Sequence, residues 1–289
     1  MPDLVRIESD GLAVEVSSLG AEMQSLMSRD GRSWLWHGDP AFWGGRSPIL
    51  FPIVGKAPDN RVLVDGRPFE MQQHGIARRS DFRLVDCDAS SCLHEFASSE
   101  ASRAAYPFDF RLTLRHAVEG LRLTLTAEVT NTGSRPLPFG LGFHPAFAWP
   151  LPGAAGREHF VQLDNNGEPE LSRLEGGLRQ PDILPSPFTK GRLVLAHDHF
   201  EDDAMIFPEG AGDGLLYGAE GGPGLKFRFD NLPNLALWTK PGAPFLCVEP
   251  WHGTAAEIGG SAELAARPYT VTLAKGASAR FGFSVEISG

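Results

Sequence analysis

The sequence predicts an all-β fold of large antiparallel sheets with few, short helices, and two observations carry that expectation. Apolar side chains fall at every second position around Leu12, Val14 and Val16, and again through Phe108, Phe110, Leu112 and Leu114. A period of two matches the alternating faces of a strand and not the stripe of a helix. The extended stretches are also punctuated by Gly, Pro and Asn, which favours hairpins over repeated strand and crossover-helix units.

After Leu12–Val16, a second extended segment is expected at Arg61–Val64. The clearest hairpin pairs 108–114 with the alternating Leu121, Leu123, Leu125, Ala127 and Val129, through the connection His116–Gly120. Glycine relieves the steric restriction of that connection. Asn131-Thr132-Gly133 is read as the next turn, and Leu193–Leu195, Leu225–Phe229 and Tyr269–Leu273 as further strands. A short helix is expected near Ala255–Leu264, interrupted by Gly259 and Gly260. The segment 151–190 is rich in Gly, Pro, Asp and Asn, but long loops of that kind also line active sites, so it does not demand a domain boundary. Residues 1–289 are read as a single domain. Phe42, Phe51, Phe110, Phe139, Phe143, Phe147, Phe227 and Phe245 are candidate packing residues.

Composition narrows the function classes. With 42% apolar and 21% charged residues, the chain can fill a core and is not broadly disordered. A formal net charge of −10 offers no general attraction to nucleic acid or an anionic membrane. Cys87, Cys92 and Cys247 are too few for a disulfide scaffold and odd in number, which points to a reducing compartment. The start lacks the pattern of a secretory signal, and no apolar run approaches the length of a membrane helix, so the expected location is cytoplasmic.

Several polar residues are placed to carry chemistry. His74 precedes Gly75, and His144 sits between a glycine-containing segment and Pro145, so both imidazoles can be presented from restrained turns. Imidazole exchanges a proton near neutral pH and can act on a substrate oxygen, although a loop histidine satisfied by hydrogen bonds has the same surroundings. Glu249 follows an apolar run, where it is either a desolvated general base or a strand-end carboxylate in water. Within His197–Phe207, Asp202 and Asp203 are equal candidates to accept from sugar hydroxyls. Arg46, Lys56 and Arg78 are donors to hydroxyls or anions, or plain surface charge. Of the six tryptophans, only Trp251, beside Glu249, is placed near the site.

Two other constellations are set aside. The cluster His197-Asp198-His199 lacks a zinc-binding spacing, and structural use without metal is favoured. The glycine runs 210–214 and 218–222 lack the residues and strand-to-helix context of a nucleotide-binding loop, and are read as turns.

Taken in order, Leu19–Glu22, Arg46–Lys56, His74–Arg78, Gly142–Phe147, Asp203 and Cys247–Gly253 resemble the aldose 1-epimerase, or galactose mutarotase-like, superfamily, in particular its LacX-like branch. The resemblance spans most of the chain. It implies a β-supersandwich with a carbohydrate cleft, no metal and no organic cofactor. It also implies that Glu249 is the general base and His144 the general acid, with His74 and Asp203 orienting the sugar. One departure is that Lys56 stands near the place where galactose mutarotases usually carry an arginine.

The expected activity is interconversion of the α and β anomers of a free hexose or related aldose by a monomer or homodimer. A hexose-6-phosphate 1-epimerase, using Arg46 or Arg78, and a non-catalytic carbohydrate-binding or sensory protein are the alternatives. The mechanism needs Glu249 ionised while His144 is protonated: their mutual attraction favours that state, and apolar burial opposes it.

Overall fold

The computed structural model describes residues 2–289. Its largest unit is a nine-stranded sheet in the order Arg192–Val194, His159–Leu163, Gly214–Ala219, Gly224–Asp230, Ser278–Ser288, Arg122–Asn131, Phe110–Glu119, Ser91–Ala97 and Arg83–Cys87. All of its pairings are antiparallel. A six-stranded sheet runs Met205–Phe207, Asn234–Trp238, Phe245–His252, Leu141–Phe143 and Ile49–Leu50, with Ala146–Ala148 also pairing onto Phe245–His252. A three-stranded sheet is formed by Leu4–Glu8, Leu12–Ser17 and Met23–Ser28. The only α-helix among the described residues is the single turn Glu100–Arg103, closed by a reciprocal Ser99–Ser102 cap. No helix is long and apolar enough to cross a membrane.

The all-β expectation therefore holds, and its reason is visible in the alternation. Along Phe110–Glu119 every second residue is buried, and the same pattern continues in Arg122–Asn131 opposite it. One hydrophobic cluster gathers inner faces from Ile7 to Ile287, with Phe51, Phe110, Phe139, Phe143, Phe147 and Phe227 inside it. Phe245 packs with Trp36 and Cys247, and the partly buried Phe42 rests on that group. Each such ring removed from water contributes roughly 1.5–3 kcal/mol to folding.

Two local expectations are corrected. The hairpin connection is not His116–Gly120: Glu119 pairs with Arg122, leaving Gly120-Leu121 as a two-residue turn. His116 and Val118 continue the buried face, so a polar-looking histidine concealed the end of the strand. Residues 255–264 do not form a helix. Their amides donate to other segments, Ala256 to Lys56 and Ile258 to Arg179, and Gly259 turns the chain at φ 76°. Only the 3-10 turn Leu264–Ala266 follows. The strand Arg61–Val64 and the Asn131–Gly133 turn, in which Asn131 Oδ1 accepts from the Gly133 amide at 3.0 Å, agree with the sequence reading. So does Leu225–Phe229, within Gly224–Asp230, whereas the last predicted strand shortens to Val271–Leu273.

Candidate active site

The six-stranded sheet supplies the floor of a cavity of about 330 Å³. Along Phe245–His252, alternation sends Leu246 and Val248 into the main core while Glu249 and Trp251 line the cavity. Ala236 lies opposite Glu249, and Ile206 opposite Ala236, so small and aliphatic side chains surround the carboxyl group. Trp251 crosses the strand beside it at Gly142. A Cβ there would meet Trp251 Cδ1 at 2.4 Å, so the close approach requires glycine.

His144 is delivered from the neighbouring strand. Leu141–Phe143 pairs with Phe245–His252 on one side of the kink, and Ala146–Ala148 pairs with the same strand on the other. The His144 amide donates to the Pro48 carbonyl at 3.1 Å, and Val248 donates to Pro145 at 3.2 Å, holding the kink in place. The imidazole stacks on Trp43, with ring centroids 4.8 Å apart and planes at 24°, and meets the edge of Trp238 at 5.7 Å. Its Nε2 lies 3.3 Å from Glu249 Oε2, out of line for a hydrogen bond, so Oε2 has no donor. A fully buried carboxyl oxygen with no partner is costly, and a hydroxyl entering the cavity would satisfy it.

Burial decides the charges of this pair. Desolvation pushes Glu249 well above the usual carboxylate range, with Asp203 adding to the rise and Arg78 opposing it. Desolvation, followed by the neighbouring His74 and the charge of Arg78, drives His144 well below 6.5. Without substrate, both groups therefore favour their neutral forms.

His74 sits at φ 67°, and the amide of Gly55 donates to its Nδ1 at 3.1 Å while its own amide donates to the Gly55 carbonyl at 2.8 Å. Because Nδ1 accepts, the ring hydrogen of the neutral imidazole is on Nε2, which lies 3.4 Å from Gln73 Nε2. Burial, reinforced by Arg78 and Arg79, lowers the His74 pKa to about 3. His74 is thus a neutral hydrogen-bond donor, whereas His144 has a carboxyl group with which to exchange a proton. Arg267, itself buried, donates to the carbonyls of Val54 and Thr254 at 2.9 and 3.1 Å and so anchors the loop that carries Gly55.

The remaining expected residues divide. Asp203, not Asp202, lines the cavity, at φ 68° and with its carboxylate accepting from the Ala204 amide at 2.9 Å. Arg78 and Trp251 line it too. Arg46 does not: its Nη1 is spent on the Gln24 carbonyl and side chain at 2.9 and 3.0 Å. Lys56 is also absent from the wall, with its Nζ donating to the Gly176 carbonyl at 2.9 Å and its stem packed beside Gly177. Trp251 is not the sole tryptophan of the site, because Trp43 and Trp238 share its cavity. Trp43 had a local signal, lying directly before Gly44-Gly45 and the Arg46–Lys56 segment. Arg79, which also lines the cavity, had the same kind of signal, directly following His74–Arg78, whereas for Trp238 and Lys240 the sequence carries none.

The large antiparallel sheets form a galactose mutarotase-like fold, with a buried carboxyl–imidazole pair on the wall of an aromatic cavity. The chain belongs to the aldose 1-epimerase family, whose profile matches residues 3–259, and is accordingly an isomerase with the family's general epimerase or mutarotase role. It is 28% identical over 266 residues to the chromosomal protein LacX of Lactococcus lactis subsp. lactis, covering 88% of this chain and 89% of that one. Among solved structures it is similar to a galactose mutarotase-like protein from Lactobacillus casei, with a TM-score of 0.92, 26% identity, and coverage of 99% of this chain and 100% of that one. A galactose mutarotase related enzyme from Lactobacillus acidophilus shares the fold at a TM-score of 0.91 and 24% identity, over 99% and 98% of the two chains.

Proposed function

We propose that this protein, acting as a single carbohydrate-active domain, interconverts the α and β anomers of an unphosphorylated hexose or related aldose. The observation that carries the reading is the unpartnered Glu249 Oε2, buried 3.3 Å from His144 Nε2 on the wall of the cavity.

The pair needs no proton from solvent. Moving one proton from the Glu249 carboxyl to His144, relayed by a sugar hydroxyl that bridges the misaligned Oε2 and Nε2, converts the neutral pair into carboxylate and imidazolium without changing the proton count. Arg78 lowers the pKa of both partners, favouring the carboxylate while opposing the imidazolium. Glu249 then takes the proton of the anomeric hydroxyl as His144 protonates the ring oxygen, and the ring C–O bond opens to a free aldehyde. Rotation about the C1–C2 bond and closure on the other face, with both transfers reversed, yields the second anomer. His74 Nε2–H and Asp203 align sugar hydroxyls, and this speeds the reaction to the extent that the transition state is favoured over the bound sugar. The faces of Trp43, Trp238 and Trp251 suit the apolar faces of a pyranose.

A second reading, a phosphorylated hexose, has one observation in its favour: Arg78, Arg79 and Lys240 all border the cavity. Anomer-exchange NMR at equilibrium with galactose, glucose and glucose 6-phosphate separates the readings. Faster exchange of a free sugar supports the first, and preference for glucose 6-phosphate the second. Saturable sugar binding with no acceleration would identify a non-catalytic carbohydrate binder.

A further inference from the structure

A second buried polar cluster lies outside the cavity, on the strands Ser91–Ala97 and Phe110–Glu119. Cys92 and His116 are direct cross-strand partners, and His94, two residues further on, faces the same side. All three are about 1% exposed. The Cys92 thiol sulfur and one ring nitrogen from each histidine lie within 4.8 Å of one another. Both nitrogens of His94, and Nδ1 of His116, have no hydrogen-bond partner.

We propose that Cys92, His94 and His116 form a binding site for a soft d10 transition-metal ion, copper(I) or zinc(II). Imidazole nitrogen and thiolate sulfur are the donors such ions prefer. Lone-pair donation to an ion would satisfy nitrogens that otherwise stay unpaired in the core. The ligands come from two adjacent strands, so no contiguous motif displays them.

The trio is enclosed in the apolar core, where a thiol and imidazoles are held in their neutral forms. On binding, the S–H proton leaves to solvent, the sulfur–metal bond forms, and both imidazoles donate without changing charge. Copper(I) with one thiolate is neutral and suits an apolar core with three ligands. Zinc(II) would keep one positive charge and an open position. Cys87, the cross-strand partner of Cys92 on the outer strand Arg83–Cys87, is exposed with its thiol on the Asp88 carbonyl and lies outside the trio, so it supplies a second thiolate only by turning inward. Every residue of that edge strand is exposed, and its pairing shifts register between Leu84 and Asp86. An edge strand held on one side opens more readily than the core and gives the ion a way in.

The test uses the full chain, stripped with a chelator and titrated separately with zinc(II) alone and with copper(I) alone under reductant. Native mass spectrometry reads the stoichiometry, and a pH indicator in weak buffer reads proton release. One ion per chain is expected, with one proton released per thiolate engaged. Binding should weaken at least tenfold in Cys92→Ser and persist in His144→Ala, which removes a ligand from the other metal-capable trio, His144, Cys247 and Glu249. Loss of zinc binding in Cys87→Ser with copper binding retained would support the four-ligand zinc form. X-ray absorption on the loaded wild-type chain requires no variant to fold, and should show sulfur at about 2.3 Å and imidazole nitrogen at about 2.0–2.1 Å from zinc. Failure to retain either ion, an all-oxygen shell, or binding that survives Cys92→Ser but is lost in His144→Ala would overturn the proposal.

Discussion

His144 and His116 are both nearly inaccessible to solvent, and each carries an Nδ1 with no hydrogen-bond partner. They differ in what surrounds them. His144 borders a cavity of about 330 Å³, between tryptophan rings and beside a buried carboxyl group, whereas His116 pairs with Cys92 of the main hydrophobic cluster. Burial lowers the pKa of both rings. Burial alone therefore does not mark a catalytic histidine: the carboxyl partner and the space for a molecule do.

The comparison is sharpened most by paired substitutions. His144→Ala should lower anomer exchange by about 10²–10⁴-fold, the usual worth of a positioned acid. His116→Gln should leave the rate per folded molecule within about twofold, because no reacting atom touches it. A large loss in the second variant, with circular dichroism unchanged, would break the distinction.

Stability separates the clusters by a smaller amount. The His116 pKa in the folded chain, about 3, lies below the unfolded value of 6.5. Its contribution to stability is thus present above pH 6.5 and is lost as the pH falls towards 3, at about 1.4 kcal/mol per pH unit. His74 follows the same sign, with burial again the largest cause. Urea unfolding with chelator present, at pH 6.5 and pH 5, should show His116→Phe losing roughly 1.5 kcal/mol less than wild type over that interval. Equal losses would show that His116 is protonated in the folded chain at pH 5.

The smallest effect is expected at Arg46. Its guanidinium is engaged by Gln24, so Arg46→Ala should change the KM for sugar by no more than about twofold, against about tenfold for Arg78→Ala, which removes a cation from the cavity wall. Steady-state kinetics on the two variants decides this, and equal KM changes would contradict the placement.

How much of this was legible in the sequence depends on the range of the interaction involved. Alternation at 108–114 and 121–129 exposed the sheet because it is a local property of the chain. The ordered segments around His74, His144 and Glu249 marked three residues that converge in one cavity. What stayed hidden was orientation. His116 reads as a polar turn residue until its partner strand is placed, and Arg46 reads as a ligand-binding cation until Gln24 is beside it. Asp202 and Asp203 are separated by a left-handed backbone at Asp203, which composition does not announce. The balance between attraction and desolvation in the Glu249–His144 pair also required the enclosing walls, and burial prevails in the empty site.

The central claim is that Glu249 moves the anomeric proton, and Glu249→Gln tests it most directly because the amide keeps the shape of the side chain and removes the base. Sugar affinity by calorimetry and anomer exchange by NMR should be measured on the same preparation, using the free sugar that wild type exchanges fastest. The account predicts binding within about tenfold of wild type and exchange reduced by at least about 10²-fold. Exchange near the wild-type rate with binding intact would contradict it.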